Sequence, residues 1–186
     1  MRKKVINNRM NNLLIRDARD GDREAIQNVT LSAYQEYAMI MPAHWEDYRQ
    51  NILDTLAEVK PAEQIVAEQA GAIVGTVLMY PAGTILDRPD ETTNSLEWPE
   101  VRLLAVAPAA RGQGVGAALM QECIRRARRA GVAALTLHTT DMMQVAMRMY
   151  ERMGFVRMPQ LDFYPAEDED IVIKGFRLTL NDTASK

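Results

Sequence analysis

One stretch constrains this chain more than any other: VRLLAVAPAARGQGVGAALM, from Val101 to Met120. An apolar run, Glu100–Val106, passes through Pro108 into a segment with glycine at 112, 114 and 116, and then straight into a helical pattern. A strand so rich in apolar residues belongs in the middle of a sheet. The glycines let successive backbone N–H groups turn toward one anion, and the following helix adds the positive end of its dipole. Arg111 contributes a formal positive charge. The unit therefore fits a strand, loop and helix that grip a diphosphate, against the plainer reading of a glycine-rich turn with no ligand.

Two phosphate motifs compete for this loop. A P-loop closes on Gly-Lys-Ser/Thr, and here Ala117 follows Gly116, which excludes it. The dinucleotide fingerprint is formally met by Gly112, Gly114 and Ala117, with Asp141 as a candidate ribose acid, and would make the chain an oxidoreductase. Against it, residues 107–111 intervene between strand and first glycine, where that fold turns tightly. The chain after Asp141 is also too short for the strands that would have to follow.

The rest of the sequence reads as one domain over 13–180, with polar tails at 1–12 and 181–186. Leu13-Leu14-Ile15 fits a first strand. Asp22 is placed to cap a helix from Arg23 that carries Ile26, Val29, Ala33, Tyr34 and Tyr37, with Pro42 interrupting it. A second helix carries Trp45, Tyr48, Ile52, Leu56 and Val59 and stops before Pro61. Alternation then marks strands over 65–68 and 73–80 about a turn at Ala70-Gly71. Residues 81–99 read as one long polar loop holding Asp87, Asp90, Glu91 and Glu97. A helix over 114–130 buries Val115, Leu119, Cys123 and Ala127 and ends at Gly131. A strand over 135–138, a helix over Gln144–Arg152 and closing strands near 155–156 and over 171–180 complete a mixed α/β sheet.

Composition narrows the function classes. With 186 residues, 47% apolar, 25% charged and a net charge of −3, the chain reads as globular, with no basic surface for nucleic acid. One cysteine, Cys123, and two histidines, His44 and His138, leave no internal disulfide and no Cys/His zinc site. No apolar run approaches the ~18 residues of a membrane helix. The charged, Asn-rich opening lacks the apolar stretch of a signal peptide, so a cytoplasmic setting is expected.

The motifs together resemble the GCN5-related N-acetyltransferase (GNAT) superfamily. Arg111, Gly114 and Gly116 match its Arg/Gln-x-x-Gly-x-Gly/Ala loop, and Leu104-Ala105-Val106-Ala107-Pro108 its preceding strand. Ala146, Tyr150, Gly154 and Phe155 match its Ala-x-x-x-Tyr-x-x-x-Gly-Phe stretch, and Ile15-Arg16-Asp17-Ala18 with Asp22 resembles its opening. The resemblance covers roughly residues 13 to 180. It implies a central twisted sheet flanked by helices, with a bulge or splay in the sheet at an acetyl-coenzyme A (acetyl-CoA) site. It also implies that Leu104, Ala105, Val106, Arg111, Gly112, Gln113, Gly114, Val115, Gly116, Met143 and Tyr150 line that site, and it allows a homodimer. Many members carry Asn where this chain has Met143. The polar contact that Asn would make is then missing, or taken over by a neighbour such as Asp141.

The implied activity is acetyl transfer from acetyl-CoA, as co-substrate and without a metal, directly to an amine of a small molecule or peptide. The alternative from another class is a catalytically silent acyl-CoA-binding module. A lysine-like amine, with pKa about 10.4, must lose a proton before it attacks. Glu100 matches the family's glutamate base, with Glu97 as fallback and a water chain as the other route. A backbone N–H near Leu104 or Val106 would meet the developing oxyanion. Tyr150 would protonate or hydrogen-bond the departing thiolate. Cys123, on a buried stripe, is a poor nucleophile. Met39, Met41, His44, Trp45 and Tyr48 either line the acceptor pocket or are core. The acidic 83–100 stretch either draws a cation or is simply solvated. Arg125, Arg126, Arg128 and Arg129 suit a helix C-terminus, and His138 reads as a satisfied interior group.

Overall fold

The computed structural model describes residues 13–87, 93–164 and 171–180. The two tails, and Asp90 and Glu91 of the acidic stretch, lie outside the described residues. Nine strands and four α-helices are described: β1 Leu13–Asp17, α1 Arg23–Tyr34, α2 Trp45–Ala57, β2 Glu63–Gln69, β3 Ala72–Tyr80, β4 Ile85–Asp87, β5 Thr93–Ser95, β6 Glu100–Val106, α3 Val115–Arg129, β7 Ala134–Thr139, α4 Gln144–Arg152, β8 Val156–Arg157 and β9 Lys174–Thr179. Seven strands form one sheet in the order β1-β2-β3-β6-β7-β9-β8. The β6–β7 pair is parallel and every other neighbour in it is antiparallel. This is the mixed, helix-flanked sheet expected from the sequence.

The sheet buries both faces. On one side, α3 lays Val115, Leu119, Met120, Cys123 and Ala127 against Ile65, Val77, Met79, Val101, Leu135 and Leu137. Each such fully buried Leu or Met side chain contributes about 1.5–3 kcal/mol of transfer free energy. Gly75 sets the distance of closest approach. A Cβ there would stand 2.8 Å from Val115 Cγ1 and 3.0 Å from Leu119 Cδ1. The start of α3 is thereby pressed onto β3 and β6. On the other side, Ile26, Val29, Ala33, Tyr34, Ile52 and Leu56 of α1 and α2 pack on Val66 and Ala105.

Three expectations need correction. Asp22 does not cap α1: its carboxylate accepts the Arg19 N–H at 2.8 Å and the Arg16 guanidinium at 2.6 Å, and the chain enters α1 through a 3-10 turn at Asp20–Asp22. The Arg16 bond holds the Asp22 carboxyl at about 2. The first helix stops at Tyr34, and Gln35–Met39 continues as a 3-10 helix. The polar 81–99 stretch is not all loop, since β4 and β5 pair as a small hairpin. Arg126, Arg128 and Arg129 stand in the last turn of α3 as expected, and Arg126 also meets Asp17 at 2.6 Å, Glu63 at 2.5 Å and Glu122 at 2.8 Å, tying α3 to β1 and β2.

Candidate active site

The parallel pairing of β6 with β7 lasts for two residue pairs, Glu100 with Thr136 and Val101 with Leu137. Beyond them the strands part, while β6 stays paired with β3 as far as Val106. An irregularity between Thr76 and Leu78 marks the point of departure, where Leu103 takes φ of +48°. A strand edge opened inside a sheet presents backbone donors and acceptors to an extended, amide-bearing ligand.

The glycine loop stands at the end of that opening. Gly112 and Gly114 hold φ of +71° and +82°, which glycine adopts without strain. The Ala118 N–H closes the first turn of α3 on the Gly114 carbonyl at 3.0 Å. The N–H groups of Val115, Gly116 and Ala117 therefore precede the helical ladder and face outward with the dipole. Gly116 is seated between β6 and α4, where a Cβ would lie 3.5 Å from Val106 Cγ2 and 3.6 Å from Met149 Sδ. The structure thus brings together the expected residues 104–106, 112–116 and the Tyr150 helix.

The side chains of Arg111 and Gln113 are engaged within the protein. Arg111 donates to Glu36 Oε2 at 2.9 Å and to the Ala33 carbonyl at 2.8 Å, near the end of α1, and Gln113 donates to the Ala109 carbonyl at 3.1 Å. Anion-binding capacity at this loop rests on its main-chain N–H groups and the dipole of α3. Met143 stands at the N-cap of α4, its N–H on the Thr140 carbonyl at 3.0 Å and its side chain against the α1–α2 cluster. Asp141 is paired with Lys174 at 2.5 Å. The polar capacity beside Met143 lies instead in Thr139 and Thr140, whose buried hydroxyls have no partner among the described residues.

Glu100 opens β6 with its side chain 6% exposed. It lies opposite Tyr80 on β3 and Thr136 on β7, so its side chain shares their face of the sheet. Its Oε2 stands 3.2 Å from His138 Nδ1, and His138 Nε2 stands 2.9 Å from the Leu161 carbonyl. A carbonyl can only accept, so the hydrogen-bond network assigns the proton of that nitrogen to Nε2. Nδ1 then faces a carboxylate oxygen without a hydrogen bond among the described residues. Glu100 and His138 therefore stand side by side, and His138 is satisfied at Nε2 but not at Nδ1, unlike the satisfied interior group expected.

Tyr150 on α4 is buried, its ring 5.9 Å from that of Phe155. Burial, together with the nearby Tyr37 phenol and Cys123 thiol, pushes its phenol well above the usual value, so it keeps its proton at neutral pH. Tyr34, also buried, donates to the Leu104 carbonyl at 3.4 Å and packs against Tyr37 and Tyr48. Trp45 and Tyr48 join this aromatic cluster while Met39 stands 87% exposed. Burial pushes the Cys123 thiol up to about 12, so no thiolate is available at neutral pH.

Arg102, Tyr34, Thr139 and Thr140 were not singled out as site residues from the sequence. The i, i+2 spacing of Glu100 and Arg102 along one strand carried the missed signal.

The comparisons with known proteins agree with this fold. The family model for the acetyltransferase (GNAT) family matches residues 30–155. The chain belongs to the GNAT acetyltransferase family. A mycothiol acetyltransferase from Parafrankia sp. (strain EAN1pec) is 34% identical over 103 residues, covering 52% of this chain and 32% of that protein. The match thus spans about a third of that relative's length. The ribosomal-protein-S18-alanine N-acetyltransferase of Escherichia coli superposes with a TM-score of 0.64 at 19% identity, over 90% of this chain and 94% of that one. A Salmonella typhimurium structure solved with its cofactor acetyl-CoA superposes with a TM-score of 0.59 at 21% identity, over 94% and 98%. At these identities the structures establish the shared fold. No described helix is long and apolar enough to cross a membrane.

Proposed function

We propose that this protein transfers the acetyl group of acetyl-CoA directly to an amine. One observation carries the reading: the glycine loop heading α3, the opened edge of β6, the adjacent Glu100 and His138 and the Tyr150 helix all border one opening in the sheet. The residues present fit the carrier. The N–H groups of Val115, Gly116 and Ala117 would hold its diphosphate, and the orphaned hydroxyls of Thr139 and Thr140 would bond its amide arm. Acetyl-CoA supplies the thioester that makes the acetyl group transferable.

The chain's own residues manage protons. Glu100 accepts a proton from the acceptor ammonium at a carboxylate oxygen, and His138, its ring fixed by the Leu161 carbonyl, stands beside it at 3.2 Å. Tyr150 Oη holds a proton for the departing sulfur. A phenol near 10 giving its proton to a thiolate near 8.5 is uphill by about 2 kcal/mol. Burial raises the phenol further. Tyr150 therefore acts mainly as a hydrogen-bond donor to the sulfur.

The reading is tested by following thiol release from acetyl-CoA with a broad amine panel, using the wild-type protein and Cys123→Ala. Both proteins are expected to turn over at rates within about threefold of each other, since a buried, protonated thiol is no nucleophile. A folded Cys123→Ala protein with no activity would contradict direct transfer. Acetyl-CoA binding without transfer to any amine would instead favour the silent binding module.

A further inference from the structure

A second charge stands beside Glu100 that the mechanism above does not use. Arg102 lies two residues further along β6, opposite Leu78, on the same face of the sheet as Glu100 and Tyr80. Its guanidinium sits over the Tyr80 ring, 5.9 Å from the centroid. Its Nε is 3.8 Å from Glu100 Oε1, outside hydrogen-bond distance. The Arg102 side chain is 36% exposed beside a Glu100 side chain at 6%.

Other arginines of the chain show the contrast. Arg16 bonds Asp22 and Glu68, Arg126 bonds Asp17, Glu63 and Glu122, and Arg157 bonds Asp162, each through charge-assisted hydrogen bonds. Arg102 has no such hydrogen bond among the described residues, and a guanidinium offers five donors. Its charge is felt by three phenols from three different elements: Tyr34 of α1, Tyr48 of α2 and Tyr80 of β3. Tyr34 and Tyr48 stack with Tyr37 and Trp45, so this cation is set beside an aromatic cluster, next to the proposed base.

The pattern of charges reads as a template. A simple cationic amine approaching Glu100 is repelled by Arg102. A zwitterion is not: its ammonium meets the carboxylate while its own carboxylate meets the guanidinium. Two opposite charges 3.8 Å apart suit an ammonium and a carboxylate carried on one carbon. The planar guanidinium also favours a carboxylate that it can grip with two parallel bonds.

We propose that Arg102 anchors the carboxylate of the acceptor, which is an α-amino acid or a compound retaining both its free amine and its free carboxylate, with an apolar side chain received by the Tyr34, Tyr37, Trp45 and Tyr48 cluster. The proposal rests on the reading of the site as an amine acetyltransferase.

The experiment compares leucine, methionine and phenylalanine with their carboxamides and with phenethylamine, as acceptors for the full chain and saturating acetyl-CoA. For the wild type, kcat/KM is expected to favour each free acid over its carboxamide by about 30-fold or more, the size of effect that hydrogen bonds to a charged group confer. Arg102→Gln removes that preference by raising KM for the acids, leaves the carboxamides within about threefold and leaves KM for acetyl-CoA unchanged; Arg102→Lys restores part of it. The proposal is overturned if carboxamides or phenethylamine serve as well as the acids. It is overturned too if Arg102→Gln keeps the preference, or lowers kcat equally for every acceptor as a structural residue would. A protein that acetylates the carboxamides or phenethylamine yet none of the acids also overturns it. Failure to bind acetyl-CoA, or binding without transfer to any amine, sinks the underlying reading instead, so the two failures are separable.

Discussion

Replacing Tyr150 by phenylalanine lowers kcat by about 100-fold or more while acetyl-CoA affinity stays within about threefold, the size of effect expected when a positioned hydrogen-bond donor to developing charge is removed. The substitution takes away one oxygen and leaves the ring beside Phe155 in place. Because burial keeps the phenol protonated, its Oη donates at any working pH, and the loss should be flat from pH 6 to 9. Rapid-quench or thiol-release kinetics with direct cofactor binding separate the two quantities. A variant whose turnover is unchanged would remove Tyr150 from the chemistry and leave it as a core residue of α4.

Glu100→Gln is expected to give the second large effect, with its own dependence on pH. A lysine-like amine of pKa about 10.4 is one part in a thousand deprotonated near pH 7.4, and a peptide α-amine of pKa about 8 is roughly one part in five. A base that collects the proton offsets that deficit. The variant should therefore lose about 100-fold in kcat/KM near neutral pH. The loss should shrink as pH rises toward the acceptor's own pKa, where the free amine forms without help. The sign follows from the proton's direction: Glu100 matters most where the acceptor is most protonated. A loss that persists at high pH would mean that Gln disturbs the Glu100–His138 pair structurally, and wild-type rates at neutral pH would leave a water chain as the base.

The parts of the site legible in the sequence are those carried by local pattern. The β6–loop–α3 unit announces itself through an apolar strand, glycines at 112, 114 and 116, and the stripe Val115, Leu119, Cys123, Ala127; all stand where expected. Glu100 and Tyr150 followed from the family resemblance and from their places on β6 and α4. What stayed hidden depends on contacts between distant segments. His138 reaches Glu100 because two residue pairs join β6 and β7 before they diverge, and nothing in either strand announces where a pairing ends. The Arg111 guanidinium looked free for an anion, yet the Ala33 carbonyl and Glu36, more than 70 residues earlier, occupy it. Asp22 has the spacing of a helix cap, but a stronger partner, Arg16 on the neighbouring strand, competes for its carboxylate. The β4–β5 hairpin was missed because its strands are three residues each, without enough alternation to stand out from a polar loop.

Titration calorimetry of acetyl-CoA into the pure protein, alongside acetyl-pantetheine, bears most directly on the main-chain grip at residues 112–117. Saturable one-site binding of acetyl-CoA, with much weaker uptake of the arm that lacks the diphosphate, is the expected result. Equal affinity for the two would mean that the loop holds no diphosphate, and no heat of binding from acetyl-CoA or free coenzyme A would contradict the account at its base.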